Sequence, residues 1–249
     1  MSKIYIGTSG FSYEHWEDGV FYPPDLPRAR QLEFYCEHFS TVELNVTFYR
    51  LPQKATFQSW RRRTPSEFCF AIKGSRYITH VKRLKEPGDS LRMLFENARP
   101  LLPKISVVLW QLPPRFRCDL DRLTLFVKLL KRRRSVRHAF EFRDESWFCE
   151  EVFELLGSAG MTVCRADRPK FDVEFPLEQP FEYIRRHGPQ SARLYGGCYS
   201  DDELRRDAEE IKRWAKSGKD VFIYFNNDAQ GWAVKNAIRL KELIFPPPL

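Results

Sequence analysis

Eight short runs of apolar, β-branched and aromatic residues recur along the chain, and most of the gaps between them are long enough to hold a helix. The runs are Ile4–Gly7, Thr41–Asn45, Phe68–Ile72, Ser106–Trp110, His138–Phe142, Met161–Arg165, Glu182–His187 and Asp220–Phe225. Strands separated by helical crossovers pair in parallel, because a parallel partner cannot be reached through a tight hairpin. Eight such units in 249 residues match the requirement of a TIM-type (β/α)8 barrel. A doubly wound open sheet is the competitor, but it calls for a G-x-G-x-x-G loop after an early strand, and Gly7-Thr-Ser-Gly10 is not one.

The crossovers support this reading. Apolar residues fall at helical spacing at Leu32, Tyr35, Cys36 and Phe39, and again at Leu120, Leu123, Phe126, Val127 and Leu130. Ser200-Asp-Asp-Glu203 has the form of a capping box ahead of a stripe at Leu204, Ala208, Ile211 and Ala215. The weak unit is the irregular connection around residues 167–181, which shows no helical period. No low-complexity linker divides the chain, so a single domain spanning 1–249 is expected.

Composition narrows the function classes. Apolar residues make up 43% and charged residues 30%, an ordinary balance for a soluble globular chain. A net charge of +8 admits an anionic small molecule or a nucleic acid as partner without requiring either. The six cysteines have no C-x-x-C spacing and no secretory signal precedes Ile4, so buried free thiols and a cytoplasmic location are expected. No apolar run approaches the ~18 residues of a membrane span. Oligomeric state is left open.

The stretch Thr41-Val-Glu-Leu-Asn-Val-Thr-Phe-Tyr-Arg-Leu-Pro52 is unusual for pure core. Alternation puts Glu43 and Asn45 on one strand face, and Tyr49 and Arg50 follow in the loop. In barrels of this type, sites gather at the C-terminal strand ends. The polar residues expected there are Thr8, Ser9, Glu43, Asn45, Tyr49, Arg50, Lys73 and Gln111 from the first half of the chain. Glu141, Arg143, Asp167, Arg185, His187, Tyr224 and Asn226 come from the second half, with Trp147 as a candidate stacking ring.

The set Gly7-Thr-Ser-Gly10, Thr41-Val-Glu-Leu-Asn-Val-Thr-Phe-Tyr49, Glu141-Phe-Arg143 with Ser146-Trp147, His187-Gly188, Tyr199-Ser200 and Tyr224-Phe-Asn-Asn227 resembles the YecE-like family, domain of unknown function 72. The likeness covers nearly the whole chain. It implies a TIM-type barrel and no particular reaction. Arg186 departs from the resemblance, which implies an apolar residue between Arg185 and His187.

These residue types set the chemical expectations. Paired carboxylates, Glu43 and Glu141, suit a general base and its acid partner, with His187 and Asp167 as a second proton-handling pair. Arg143, Arg185 and Lys73 suit a clamp for phosphate or carboxylate, or else neutralise the two glutamates. The leading expectation is an enzyme of acid–base or hydrolytic chemistry on an anionic substrate, a phosphorylated sugar or a nucleic-acid component. Glu43→Gln is then expected to abolish turnover and leave folding intact. One alternative is a non-catalytic nucleic-acid-binding protein using Arg76, Tyr77, His80, Lys82 and Arg83. Another is a glycoside hydrolase using Glu43 and Glu141. No cofactor is indicated; a divalent metal is conceivable on Glu43, Glu141, Asp167 and His187, although the i, i+4 ligand spacings are absent.

Overall fold

The computed structural model describes residues 2–133, 135–167, 175, 178–189, 192 and 194–246. Its strands, in chain order, are β1 (Ile4–Thr8), β2 (Thr41–Leu44), β3 (Cys69–Lys73), β4 (Ile105–Gln111), β5 (Arg137–Glu141), β6 (Thr162–Val163), β7 (Arg165–Ala166), β8 (Glu182–Arg186) and β9 (Val221–Phe225). The α-helices are α1 (Gln31–His38), α2 (Val46–Tyr49), α3 (Lys54–Arg62), α4 (Gly88–Ala98), α5 (Leu120–Leu130), α6 (Glu150–Ser158), α7 (Asp201–Lys216) and α8 (Trp232–Ile244). The Ser200–Glu203 capping box forms in full at the start of α7. The connection expected around residues 167–181 lies mostly outside the described residues.

All strand pairing is parallel, in two sheets ordered β1-β9-β8-β7 and β2-β3-β4-β5-β6. The sixth run, expected as one strand, is divided at Cys164. Its first half, β6, pairs with β5, while its second half, β7, pairs with β8. At the other margin, one parallel bridge joins Ser9, just past β1, to Glu43 of β2. A Cβ on Gly7 would sit 2.5 Å from the carbonyl oxygen of Thr41, so the close approach of β1 to β2 admits only glycine there.

Two apolar clusters explain why the strands alternate as they do. The larger one packs one face of the sheets against the helices, with Val42, Ile72, Val108, Phe140, Ile184 and Ile223 among its strand residues. The smaller takes the alternate positions: Ala71, Val107, Leu109 and Ala139 from one sheet, Tyr183, Phe222 and Tyr224 from the other. Aliphatic residues from one sheet thus pack with aromatic residues from the other in a single cluster. Contacts such as Thr41 Oγ1 to Tyr224 hydroxyl, 2.8 Å, join them. Towards the C-terminal ends the same inner phase changes from apolar to charged.

One local expectation is corrected, and one departure from the resemblance is accounted for. Cys69 and Cys164 are buried and no described cysteine is in a disulfide, but Cys198 is exposed. Arg186, where the resemblance implies an apolar residue, points outward from β8 and forms a two-pronged pair with Asp207 of α7, its Nε donating at 2.8 Å. Asp207 supplies the charge that lets a cation occupy the sheet–helix interface.

Candidate functional site

Arg185, on the inner face of β8, is the centre of the charged layer. It is fully buried; both of its Nη groups have acceptors, while its Nε has none among the described residues. Nη1 donates to Glu141 Oε2 at 2.6 Å and Nη2 to Glu43 Oε1 at 2.8 Å, with Ser9 Oγ at 3.4 Å. Glu43 is completed by Ser9 Oγ donating to Oε1 at 2.7 Å and Tyr183 hydroxyl donating to Oε2 at 2.6 Å. Glu141 is completed at Oε1 by Gln111 Nε2, 2.7 Å, and Arg143 Nε, 2.9 Å. Both carboxylates are fully buried.

Such a layer stands because every charge in it has a partner. Burial opposes ionisation of Glu141, but Arg185 and Arg143 outweigh it and hold its pKa well below the usual carboxylate range. The Tyr183 hydroxyl is pushed well up, by burial first and then by the adjacent Glu43 charge. Glu141 is therefore an ionised anchor and Tyr183 a fixed donor at neutral pH. Arg185 also fills the space between the two glutamates, which removes the geometric ground for a glycosidic bond lying between them.

Beside these paired charges are groups whose own charge or polar atom is unanswered. Lys73 closes β3 and is 6% exposed, with its Nζ 4.2 Å from the centroid of the Phe48 ring. Among the described residues it has neither a hydrogen-bond acceptor nor a carboxylate within ion-pair distance. Burial, and then the charge of Arg185, lower its pKa to about 7. His187, which follows β8, is fully buried; among the described residues its Nε2 has no hydrogen-bond partner, and it stands 3.7 Å from Glu141 Oε1. With the Asn226 amide donating to Nδ1 at 3.0 Å, the neutral ring carries its proton on Nε2. Burial and Arg185 lower the His187 pKa, which keeps the ring neutral. Asn45 donates to Ser9 O at 3.2 Å, and its buried Oδ1 is unpartnered.

Asp167 has a supporting role that spacing did not disclose. Its Oδ1 accepts from the His187 backbone N at 2.8 Å and its Oδ2 from the Tyr199 hydroxyl. That hydroxyl also accepts from Gly188 N at 2.7 Å. Gly188 has φ +119°, a conformation that favours glycine, and this bend follows the His187 position directly. The Asp167 carboxylate thus fixes the backbone of His187 rather than facing its ring.

The remaining expected residues divide. Ser9, Glu43, Gln111, Glu141, Arg143 and Arg185 meet in one network, with Lys73, His187, Asn45 and Asn226 around it. Thr8 is turned away, its hydroxyl donating to Gly10 O at 2.6 Å and bonding Tyr35 hydroxyl at 2.9 Å. Tyr224 is buried deeper, on Thr41. Trp147 is core: it stacks on Phe142 at 5.1 Å and donates to Phe116 O at 2.5 Å. Tyr49 and Arg50 stand exposed on and after α2.

The conceivable metal set is corrected as well. Among the described residues no three of His, Cys, Asp and Glu come together as a metal would need. Glu43 and Glu141 face a guanidinium instead. Sequence reading missed Tyr183 and Tyr199; Tyr183 shares the inner phase of Arg185, and that shared phase was the available signal.

In the basic loop, Arg76, Tyr77 and Arg83 are exposed, and Lys82 Nζ lies 5.9 Å from the Tyr77 ring centroid. His80 turns inward, edge-on to Phe48 at 4.9 Å. Burial, and then Lys73, lower its pKa to about 4. Arg83 and Leu84 both take positive φ, 45° and 63°, where non-glycine residues are strained.

The family described as "Protein of unknown function DUF72" matches residues 5–246. The UPF0759 protein YunF of Bacillus subtilis (strain 168) is 28% identical, over 97% of this chain and 94% of its own length. A crystal structure of a DUF72 family protein from Thermotoga maritima is similar at 31% identity and a TM-score of 0.82, covering 97% of this chain and 99% of that one. A DUF72 family protein from Enterococcus faecalis, 20% identical, shares the fold at a TM-score of 0.81, over 99% of this chain and 97% of its own. Among the described residues no helix is long and apolar enough to cross a membrane.

Proposed function

The chain belongs to the DUF72 family, and we propose that it is an enzyme acting by acid–base chemistry on a small phosphorylated or carboxylated substrate at the C-terminal ends of its strands. We read the two sheets as one ring of eight strands, a (β/α)8 barrel. The Ser9–Glu43 bridge supports closure on one side, and the run broken at Cys164, which serves both sheets, supports it on the other. The site is then the barrel's mouth.

The observation that carries the reading is a charge imbalance. Glu43 and Glu141 are answered by Arg185 and Arg143, which leaves the Lys73 ammonium as the cation without an anion. A buried ammonium with no counter-charge is costly, and an incoming anion supplies what the protein withholds. Lys73 and Arg143 hold the anionic group in this scheme, and His187 exchanges a proton through Nε2. Glu43 and Glu141 serve by fixing Arg185 and Arg143 rather than by transferring protons.

Titration with orthophosphate, followed by the midpoint of thermal unfolding, tests the anion site. We expect stabilisation that Lys73→Met and Arg143→Leu each reduce at least tenfold in apparent affinity. Equal phosphate response in the parent and both variants, or none in the parent, overturns the reading. A second reading, nucleic-acid binding through the 76–85 loop, is favoured by one observation, the exposed Tyr77 with Lys82 against its ring.

A further inference from the structure

Lys73 has a second property that anion binding does not use. The side chain is buried with Nζ 4.2 Å from the Phe48 ring centroid, among the described residues it has no acceptor to hold its protons, and it stands at a strand end rather than on a loop. The charged groups around it are Arg185 from β8, Glu141 and Arg143 at the end of β5, Glu43 from β2, and His80 from the following loop. No carboxylate among the described residues comes close enough to pin it as an ammonium, and the two guanidiniums work against its charge.

We propose that Lys73 is a nucleophile that condenses with the carbonyl carbon of a phosphorylated aldehyde or ketone. This deepens the anion-site reading and rests on it: Arg143 holds the phosphate while the amine attacks. The nitrogen lone pair forms the C–N bond as the carbonyl π pair moves to oxygen; the oxygen takes up a proton while the nitrogen gives one up, which regenerates its lone pair and leaves a neutral carbinolamine. A second proton delivered to that hydroxyl lets it leave as water, and the nitrogen lone pair closes the C=N bond of an iminium. Nothing is oxidised or reduced, and the product is one iminium and one water.

The surroundings suit this step. With a pKa of about 7, roughly half of Lys73 is free amine at neutral pH, whereas a solvated lysine is almost wholly protonated. The Phe48 ring and the charges of Glu141 and Glu43 favour the ammonium, but burial and Arg185 outweigh them. His187 carries a proton on Nε2, and that nitrogen has no other partner.

The test uses the unmodified protein, with glyceraldehyde 3-phosphate as probe and sodium cyanoborohydride to reduce any iminium to a stable secondary amine. Peptide mass mapping then reads the labelling of each lysine, with and without excess orthophosphate, beside the phosphate thermal shift. We expect Lys73 to be labelled at least tenfold faster than the median of the other lysines at pH 7, and phosphate to suppress that labelling. Lys73→Arg should retain the phosphate shift and lose the fast adduct. Labelling of Lys73 no faster than of other lysines, with the phosphate shift intact, overturns the nucleophile and leaves the anion site standing. Fast labelling of Lys73 with no phosphate shift or protection overturns the anion site and leaves the nucleophile.

Discussion

Arg185 and Lys73 occupy the same charged layer and are both buried cations, yet they are treated in opposite ways. Arg185 has three acceptor contacts, one from each of three residues, and the two glutamates it joins are themselves fully occupied. Lys73 has an aromatic ring and, among the described residues, no acceptor. A saturated charge fixes geometry, since any movement breaks several bonds at once. An unsaturated one stores an unfavourable free energy that a ligand can relieve. Positions where a fold leaves a polar group unanswered are thus more informative about binding than positions where it concentrates polarity.

Removing the saturated cation should have the largest effect. Arg185→Met leaves Glu43 and Glu141 buried without their shared guanidinium, and loss of ~3–5 kcal/mol is expected. Urea unfolding at pH 7 measures it, and a loss under ~1 kcal/mol would mean that the pairing is not what holds the layer. Glu43→Gln should follow at ~2–4 kcal/mol, because the amide donates where Ser9, Tyr183 or Arg185 also donates. The sequence-based expectation that this substitution leaves folding intact is revised for that reason.

Lys73→Met should go the other way. The native pKa of about 7 lies below the unfolded lysine value of ~10.4, so between those limits the unfolded chain binds one more proton than the native one. The stabilisation from burying Lys73 as a free amine is complete above ~10.4 and is lost as pH falls through about 7. The methionine variant should therefore exceed the parent by on the order of 2–4 kcal/mol at pH 6, with the gap narrowing as pH rises. Denaturant unfolding between pH 6 and 9.5 gives the two slopes. Parallel slopes would place Lys73 at an ordinary lysine pKa and remove the contrast with Arg185.

Much of this contrast was legible before the structure, but not its sense. The strand runs were visible because period-2 alternation of apolar residues is enforced by two-sided burial; hence Ala71, Val107, Ala139 and Tyr183 fall in the inner phase with Glu43, Glu141 and Arg185 near its end. Which charges would be answered was not visible. That depends on a guanidinium reaching across from β8 to β2 and β5, and one sequence does not state which of three cations lies between two glutamates. Asp167 looked like a ring partner for His187 because both are strand-end residues, whereas its carboxylate takes the His187 backbone N–H and the Tyr199 hydroxyl. Trp147 looked available for stacking because aromatic character is read from sequence and depth is not. The break at Cys164 was hidden because an unbroken apolar run does not reveal that its halves pair with different neighbours.

The smallest effect is expected in the 76–85 loop, and it sharpens the contrast from outside. Its exposed cations resemble neither Arg185 nor Lys73, since water answers them and they cost little where they stand. The Lys82→Ala/Arg83→Ala double variant should change stability by less than ~0.5 kcal/mol and leave orthophosphate affinity within about twofold of the parent, because salt and water screen charges at the surface. Should the loop bind nucleic acid, the same variant would weaken retention of a single-stranded oligonucleotide and lower the slope of log affinity against log salt by roughly 0.7 per charge removed. Fluorescence polarisation with a labelled oligonucleotide, run between 20 and 200 mM salt, reads both quantities. A flat salt profile in parent and variant alike leaves Lys73 as the group that selects for anions, and a steep one that the variant abolishes moves that role to the rim.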